Sequence, residues 1–395
     1  MAAPLSRSAG CNSRTIAVGD HRAWAVIALI AGAAACREPA RPTAIRFLHT
    51  FGKEETELFN AVMAERQIVV DSSLVPFARG RQVIGEILRA RTDCPDLIRI
   101  DATWLPELVA GGLLVAPPPA LTAHDWTPEA AALAQLRGAW WAVPHSVDGL
   151  LVVREAGTPA PASPGLADLV AAARAQHTAA RPYPLSIRVD GYWFVPWLRD
   201  EGGELAPGGI AGDVAVRAMT RFAALFGDVV RPPPPSGLEQ DDEGRRWANH
   251  EDAYWITGPW QFYQIGNRAQ IAVSALAHAP RGGQLLVVPA CARHAEDGWR
   301  LADELTSLPV ETRFAAKFAT VPTRIAALAT APALLRAAGD ALRAAAMLPR
   351  EPETPLLFDD LNAALTAAVL GDTTPQEAVA GVQRAWQRLT RRAAP

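Results

Sequence analysis

Residues 44–100 read AIRFLHTFGKEETELFNAVMAERQIVVDSSLVPFARGRQVIGEILRARTDCPDLIRI, and two hydrophobic periods alternate along them. Ala44 to His49 is a short β-rich run. Glu54 to Arg66 follows, with Leu58, Phe59, Val62 and Met63 at the spacing of one buried helical stripe. Gln67 to Val75 reads as a second strand, residues 79–91 as a second helix with Val83, Ile84, Ile87 and Leu88 inward, and Asp96 to Ile100 as a third strand. This is a βαβαβ unit. The same alternation continues down the chain and predicts an α/β protein with largely parallel sheets.

Beyond this unit, Trp104 to Ala110 reads as a helix that Gly111-Gly112 stops before Leu113-Leu114, because glycine tolerates the left-handed conformation at a helix end. Residues 139–153, AWWAVPHSVDGLLVV, form a long strand or two strands joined at Pro144. The Pro-rich stretches 157–165 and 231–246 read as surface connections. Helices dominate the C-terminal part: Glu296 to Leu308, Ala331 to Leu348 and Pro375 to Arg391. In the last, Thr374 is a natural N-cap, Pro375 suits the first helical position and Glu377 completes a capping box. Val379, Val382, Trp386 and Leu389 form its buried stripe.

Towards the N-terminus, Ala23 to Gly32 is an apolar run behind Arg22, too short to span about 30 Å of hydrocarbon. A basic flank, an apolar core and then Ala33-Ala34-Ala35-Cys36 is the layout of a secretory leader. The junction resembles a bacterial lipoprotein box, in which Cys36 is lipid-modified, although Ala33 stands where such boxes usually carry Leu. Ala33-x-Ala35 equally suits ordinary cleavage. Residues 1–36 are therefore a leader, and Arg37 to Thr43, with Pro39 and Pro42, a tether. The 395-residue chain carries 38 Lys plus Arg against 41 Asp plus Glu; without the leader, 35 basic face 40 acidic residues. Lysine occurs only at Lys53 and Lys317 and arginine is dispersed, so the charge pattern argues against a nucleic-acid partner.

Cys94 and Cys291 are the cysteines left in the folded part. They either pair or are two separate small buried side chains. No metal-ligand spacing, phosphate loop, dinucleotide fingerprint or Gly-x-Ser-x-Gly elbow is present. His145, Ser146 and Asp148 invite a triad, but neighbours in an extended segment face opposite ways. Glu239, Asp241, Asp242 and Glu243 read as a solvated loop. Tryptophan stands out: 12 in all, with Trp104, Trp126, Trp140, Trp141, Trp193, Trp197, Trp247, Trp255 and Trp260 concentrated mid-chain. Core packing explains any one of them, yet indole faces beside acids also suit the C–H faces and hydroxyls of a sugar.

The motifs Pro95-Asp96-Leu97-Ile98 with Asp101, Gly112-Leu113-Leu114, Trp141 to Gly149, Ile256-Thr257-Gly258-Pro259-Trp260, Val321-Pro322-Thr323-Arg324 and Thr374 to Ala378 occur in order along the chain. In this it resembles the extracellular solute-binding proteins of ABC importers, in the branch that includes maltose and trehalose binders. The resemblance implies an α/β, two-lobed periplasmic-binding-protein-like fold with a hinge and an interlobe ligand cleft. Residues 44–143 plus 284–322 would form the N-lobe and 144–283 plus 323–395 the C-lobe. Pro144 to Asp148, Leu285 to Pro289 and Val321 to Arg324 would be the hinges. Carried over by position, Asp148 and Asp101 would be cleft acids and Trp260, Tyr192, Trp193 and Phe358 ligand platforms, with Arg79, Arg81 and Arg324 either facing the cleft or solvated. Asn249-His250 departs from the Gly-Lys pair usual in that family.

The implied protein is a non-enzymatic, periplasmic or cell-surface carrier, monomeric, without cofactor or metal. It would take a small solute, most simply a carbohydrate, to an ABC transporter permease, and its membrane contact would be a lipid anchor. The rival readings keep the fold with a glycerophosphodiester or polyamine ligand, make the chain a sensor subunit, or make it a secreted carbohydrate-active enzyme using two carboxylates.

Overall fold

Successive side chains of a strand face opposite ways, and in this chain both ways are apolar. In β1 (Ile45–His49), Phe47 joins one buried cluster and Leu48 another; in β3 (Leu97–Asp101), Leu97 and Ile98 divide in the same way. Strands buried on both faces belong to a sheet covered by helices on each side. Helix α1 (Lys53–Glu65) lays Leu58, Phe59, Val62 and Met63 on the Phe47 side, and α2 (Phe77–Ala90) lays Ile84 and Leu88 on the Leu48 side. β1 pairs in parallel with both β2 (Val70–Leu74) and β3, which is the βαβαβ unit legible in the sequence. The second strand begins later than expected because Gln67 turns the chain at φ 57°.

A computed structural model of the chain describes residues 44–206, 208, 210, 212–233 and 243–393. The leader with Cys36, the tether through Pro39 and Pro42, and Glu239, Asp241 and Asp242 lie outside the described residues. Helix α3 (Leu105–Ala110) ends as expected, with Gly112 at φ 62°, before β4 (Leu114–Val115). After α4 (Pro128–Ala134), the stretch expected as one or two strands is three pieces: Ala139–Trp140, β5 (Val143–Gly149) and β6 (Leu151–Glu155). Pro144 is not a joint. It lies inside β5 opposite Leu285, where the register shifts at a bulge, a place in a sheet that tolerates a missing N–H.

From β6 the chain builds a second sheet with α5 (Leu166–Ala175), β7 (Leu185–Ser186), α6 (Gly191–Asp200), α7 (Gly212–Ala223), β8 (Tyr254–Thr257) and β9 (Ile271–Ala275). Its strand order is β9-β6-β8-β7. The long β10 (Pro280–Pro289) then returns to the first sheet, antiparallel to β3 on one side and β5 on the other. Helices α8 (Ala295–Leu305), α9 (Leu308–Phe318) and α10 (Ala333–Leu342) follow, then β11 (Ala346–Met347), α11 (Thr354–Leu370) and α12 (Pro375–Ala393). The expected helix over 331–348 is shorter, because Ala346–Met347 pairs in parallel with Pro280–Arg281 instead of continuing it. The path through the first sheet runs β11-β10-β3-β1-β2, with β4 and β5 also on β10. No described helix is long and apolar enough to cross a membrane.

Three expectations about side chains resolve here. The capping box of α12 is present: the hydroxyl of Thr374 accepts from Glu377 N (3.2 Å), and Glu377 Oε2 accepts from Thr374 N (3.0 Å). Glu243 is not a solvated loop acid. It is 5% exposed, and its Oε2 accepts from Arg188 Nε (3.0 Å) and Trp255 Nε1 (3.3 Å). Cys94 and Cys291 form a disulfide with Cα atoms 5.9 Å apart, joining the segment before β3 to the segment after β10.

That bond closes a loop of 197 residues around the whole second sheet, so its loss enlarges the unfolded ensemble. Replacing both cysteines by Ala is expected to lower unfolding free energy by about 2–5 kcal/mol in urea titration. An unchanged midpoint would show that the unfolded chain is already constrained there.

Candidate ligand-binding site

The acids and aromatics expected at a site meet where the two sheets adjoin. On the first sheet, β10 places Gln284 opposite Asp101 of β3 and Gly282 opposite Asp148 of β5. Residues two apart share a strand face, so both carboxylates border the same face of β10. Gly282 makes this fit: a Cβ there would lie 2.8 Å from Asp148 Oδ1 and 3.2 Å from Tyr192 Oη. Asp101 ends β3 and caps the turn that follows, its Oδ1 accepting from Thr103 N (2.8 Å) and its Oδ2 from Gln284 Nε2 (3.2 Å). No hydrogen bond reaches the carboxylate of Asp148 from the described residues.

Electrostatics sharpen that contrast. Burial and the neighbouring charge of Asp101 push Asp148 up to about 8, with Arg99 opposing the shift. Asp101 is raised by burial, against its hydrogen bonds. Arg99 is itself buried, its Nη1 donating to Thr50 Oγ1 (2.8 Å), its Nε to His145 Nδ1 (3.3 Å), and its Cζ 4.7 Å from the centre of the Phe51 ring. Burial and Arg99 hold His145 well below the usual histidine range, as a neutral acceptor. The Oγ of Ser146 instead accepts from Gln284 N (3.2 Å), so His145 and Ser146 do not meet and no triad forms.

The second sheet supplies the aromatic wall. Asp190 caps α6 by accepting from Tyr192 N (2.8 Å), and Asn362 of α11 bonds both Asp190 Oδ2 (3.2 Å) and Gly191 N (2.6 Å). This fixes Tyr192 and Trp193 in the first turn of α6. Phe358 packs against the same turn, 2.8 Å from where a Cβ on Gly191 would be. Trp260 follows β8 in the sequence Gly258-Pro259-Trp260; its indole folds back over Gly258, where a Cβ would sit 2.1 Å from the ring. The rings of Tyr192, Trp193 and Trp260 are mutually edge-to-face at 5.9–6.5 Å between centroids. Trp193 is the most buried, with Nε1 donating to Ile256 O (2.7 Å) and the Arg188 guanidinium 5.0 Å from its ring centre, so it backs the wall while Tyr192 and Trp260 are half-buried.

Tyr192 and Asp148 connect the two sides through Gly282, and the charge on Asp148 adds to burial in raising the Tyr192 hydroxyl well above its ordinary range. Asp101, Asp148, Tyr192, Trp193, Trp260 and Phe358 are thus all placed around one junction. Arg79 is exposed. Arg81 lies 3.5 Å from Glu107 and 3.6 Å from Asp359, bridging α2 to α11. Arg324 faces away from the acids: it pairs with Asp125 and stands 5.3 Å over Trp126. Sequence reasoning passed over Arg99, Gln284 and Gly282, although a lone arginine in Leu-Ile-Arg-Ile and a Gly-Gly pair inside a strand were signals. It also passed over Phe77, which is 54% exposed at the start of α2 and 5.5 Å from Trp104, ring centre to ring centre.

The three segments expected as hinges lie together. Val147 of β5 bridges Val321, and the hydroxyl of Thr323 lies 3.2 Å from the carbonyl of Pro144. Leu285 and Leu286 lie between β3 on one side and Pro144 and Val143 of β5 on the other. Glu311 of α9 holds the third segment: buried, it accepts from the hydroxyl of Thr323 and from the N–H groups of Thr323 (3.4 Å) and Arg324 (3.1 Å). Burial pushes it up to about 7 in spite of these bonds.

No protein-family model matches this sequence, and no curated protein matches it. Solved structures do. The GacH receptor of Streptomyces glaucescens, solved unliganded and with acarbose and an acarbose homologue, is 23% identical, with a TM-score of 0.74 over 88% of this chain and 98% of that one. The maltose/maltodextrin-binding domain MalE of Bdellovibrio bacteriovorus, bound to maltotriose, is 14% identical, with a TM-score of 0.75 over 88% of this chain and 100% of that one. Maltose-bound MalE3 of T. maritima is 20% identical, with a TM-score of 0.74 over 88% and 99%. The chain has the two-lobed α/β fold of these solute-binding proteins.

Asp148 and Glu311 bind protons more tightly folded than unfolded. Their stabilisation is complete below the ordinary carboxylate value of about 4 and is lost as pH rises through about 7 for Glu311 and about 8 for Asp148. Buried His49 and His145, held below the usual histidine range, act in the opposite sense between pH 5 and pH 8.5, so the carboxylates are read by substitution. Asp148→Asn removes one of the two groups. With screening at a half-buried site, it should be about 1–2 kcal/mol more stable than the parent at pH 8.5 and equal to it at pH 4. Parallel melting curves for parent and variant at both pH values would refute the assignment.

Proposed function

We propose that this protein is the substrate-binding component of an ABC importer, capturing a carbohydrate between its lobes and delivering it to a membrane permease. The observation that carries this reading is the meeting of Tyr192 and Trp260 of the C-lobe with Asp148 on the crossing strand β5 and Asp101 of the N-lobe, around Gly282. Flat aromatic faces suit the C–H faces of a pyranose, and carboxylates take its hydroxyl hydrogens. Contacts from both lobes exist together only when the cleft is shut, so ligand shifts the population towards the closed form.

In this reading the N-lobe takes residues 44–143 plus 284–322, the C-lobe 144–283 plus 323–395, and β5, the first half of β10 and Val321–Arg324 are the crossings about which they move. Arg81 to Asp359 would be a contact made on closure. The role is carriage, not catalysis, since His145 and Ser146 serve other partners and the similar structures are binding proteins. Cys36 would carry the lipid anchor that keeps a monomeric binder near its permease.

Titration of the purified protein with mono-, di- and oligosaccharides, read by tryptophan fluorescence, tests this. A saturable change is expected with at least one sugar, weakened at least about tenfold, or about 1.4 kcal/mol, by Trp260→Ala. Gly282→Ala should also weaken it, because the new methyl meets Asp148 and Tyr192. Silence with every sugar and a response to a glycerophosphodiester would retire the carbohydrate reading.

A further inference from the structure

We propose that the cleft is built for a saccharide that carries a protonated amine, an amino sugar or aminocyclitol, whose ammonium group lies against Asp148. This rests on the carbohydrate-binding reading above and names the ligand class within it.

The cleft floor is rich in acceptors and poor in charge compensation. Asp101 is occupied by Thr103 and Gln284. Asp148 receives no hydrogen bond from the described residues, and its Oδ1 stands beside Gly282. Gln284 is only 8% exposed; its Nε2 is committed to Asp101 and its Oε1 has no partner. On the same face of β10, Asp148 and the Oε1 of Gln284 are thus left without donors among the described residues.

The cation whose charge acts on Asp148 is Arg99, and it is already engaged. Arg99 donates to Thr50 and His145, and its single charge offsets Glu55, Asp148 and Asp101 together. Arg81 is held by Glu107 and Asp359, and Arg188 by Glu243. A neutral hydroxyl leaves Asp148 to keep its proton beside Asp101, whereas a cation draws it into the ionised form and pairs with it in the closing cleft. An ammonium brings several N–H donors and a unit of positive charge, which suit an ionised Asp148 that no described residue bonds. The half-buried rings of Tyr192 and Trp260 add faces that attract cations.

The test compares amine-bearing saccharides with neutral ones. Calorimetric titration of the purified full chain would use glucosamine β1,4-oligosaccharides of two to four units against their N-acetylated counterparts, and kanamycin A against maltose and maltotriose. At least one amine-bearing saccharide is expected to bind at least about tenfold more tightly than its N-acetylated form or than either maltose-series sugar. That advantage should shrink as salt is raised from about 0.05 to 0.5 M, and Asp148→Asn should remove it. If the variant does not fold, the salt series on the parent still decides, because screening spares a neutral ligand. A neutral sugar binding as tightly as every amine overturns the proposal and leaves the carbohydrate carrier standing. Binding of no saccharide overturns both.

Discussion

Strand β10 has to satisfy two partners at once. Residues 284–286 pair with β3 on one side and with β5 on the other, so the strand that completes the first sheet also carries the chain back from the second. Such a strand is crowded, and its sequence shows it: Gly283 has the carbonyl of Ser146 where a Cβ would be, at 2.2 Å, and Gly282 gives its space to Asp148 and Tyr192. Packing of the two lobes, spacing of the acids and approach of the aromatic wall all follow from how closely β5 can lie against β10.

From that constraint the site acquires its electrical character. Pressing β5 against β10 brings a second carboxylate beside Asp101 without bringing a second cation, since Arg99 is fixed from beneath by Thr50, His145 and the face of Phe51. The opposing wall is preorganised rather than supple. The first turn of α6 is pinned through Asp190 and Asn362, and Trp193 is held both by its bond to Ile256 O and by Arg188, which the buried Glu243 keeps in position. A ligand entering such a site meets fixed dipoles and fixed rings and has little ordering left to impose.

Much of this was legible in the residues. The period changes between 44 and 100 marked β1 and β3 because both faces of those strands are buried, whereas the largely exposed β2 was read as starting three residues too early. The capping box at Thr374 marked α12 because its side chains satisfy backbone groups locally. What failed failed for tertiary reasons. Residues 331–348 have helical composition throughout, but Ala346 and Met347 are claimed by the edge of a sheet whose partner lies over sixty residues earlier. Glu243 looked solvated beside Asp241 and Asp242, yet an arginine from a distant segment draws it inside. Asp148 and Trp260 were readable through their motifs. Arg99 and Gln284 matter because of what stands opposite them in the sheet, which no local pattern encodes.

The antiparallel pairing of β3 with β10 also orders events in time. A chain emerging from its N-terminus completes β1, β2 and β3 early, but β3 keeps an unpaired edge until residue 284 has appeared, after the entire second sheet. Throughout that interval Cys94 is a thiol without its mate and a row of peptide groups stands open beside Ile98 and Ile100. Contacts of such long sequence separation form slowly. The nascent first lobe is thus an edge-exposed intermediate by construction. Arg99, a charge between Ile98 and Ile100, then has a second use, as a deterrent to other strands seeking that edge.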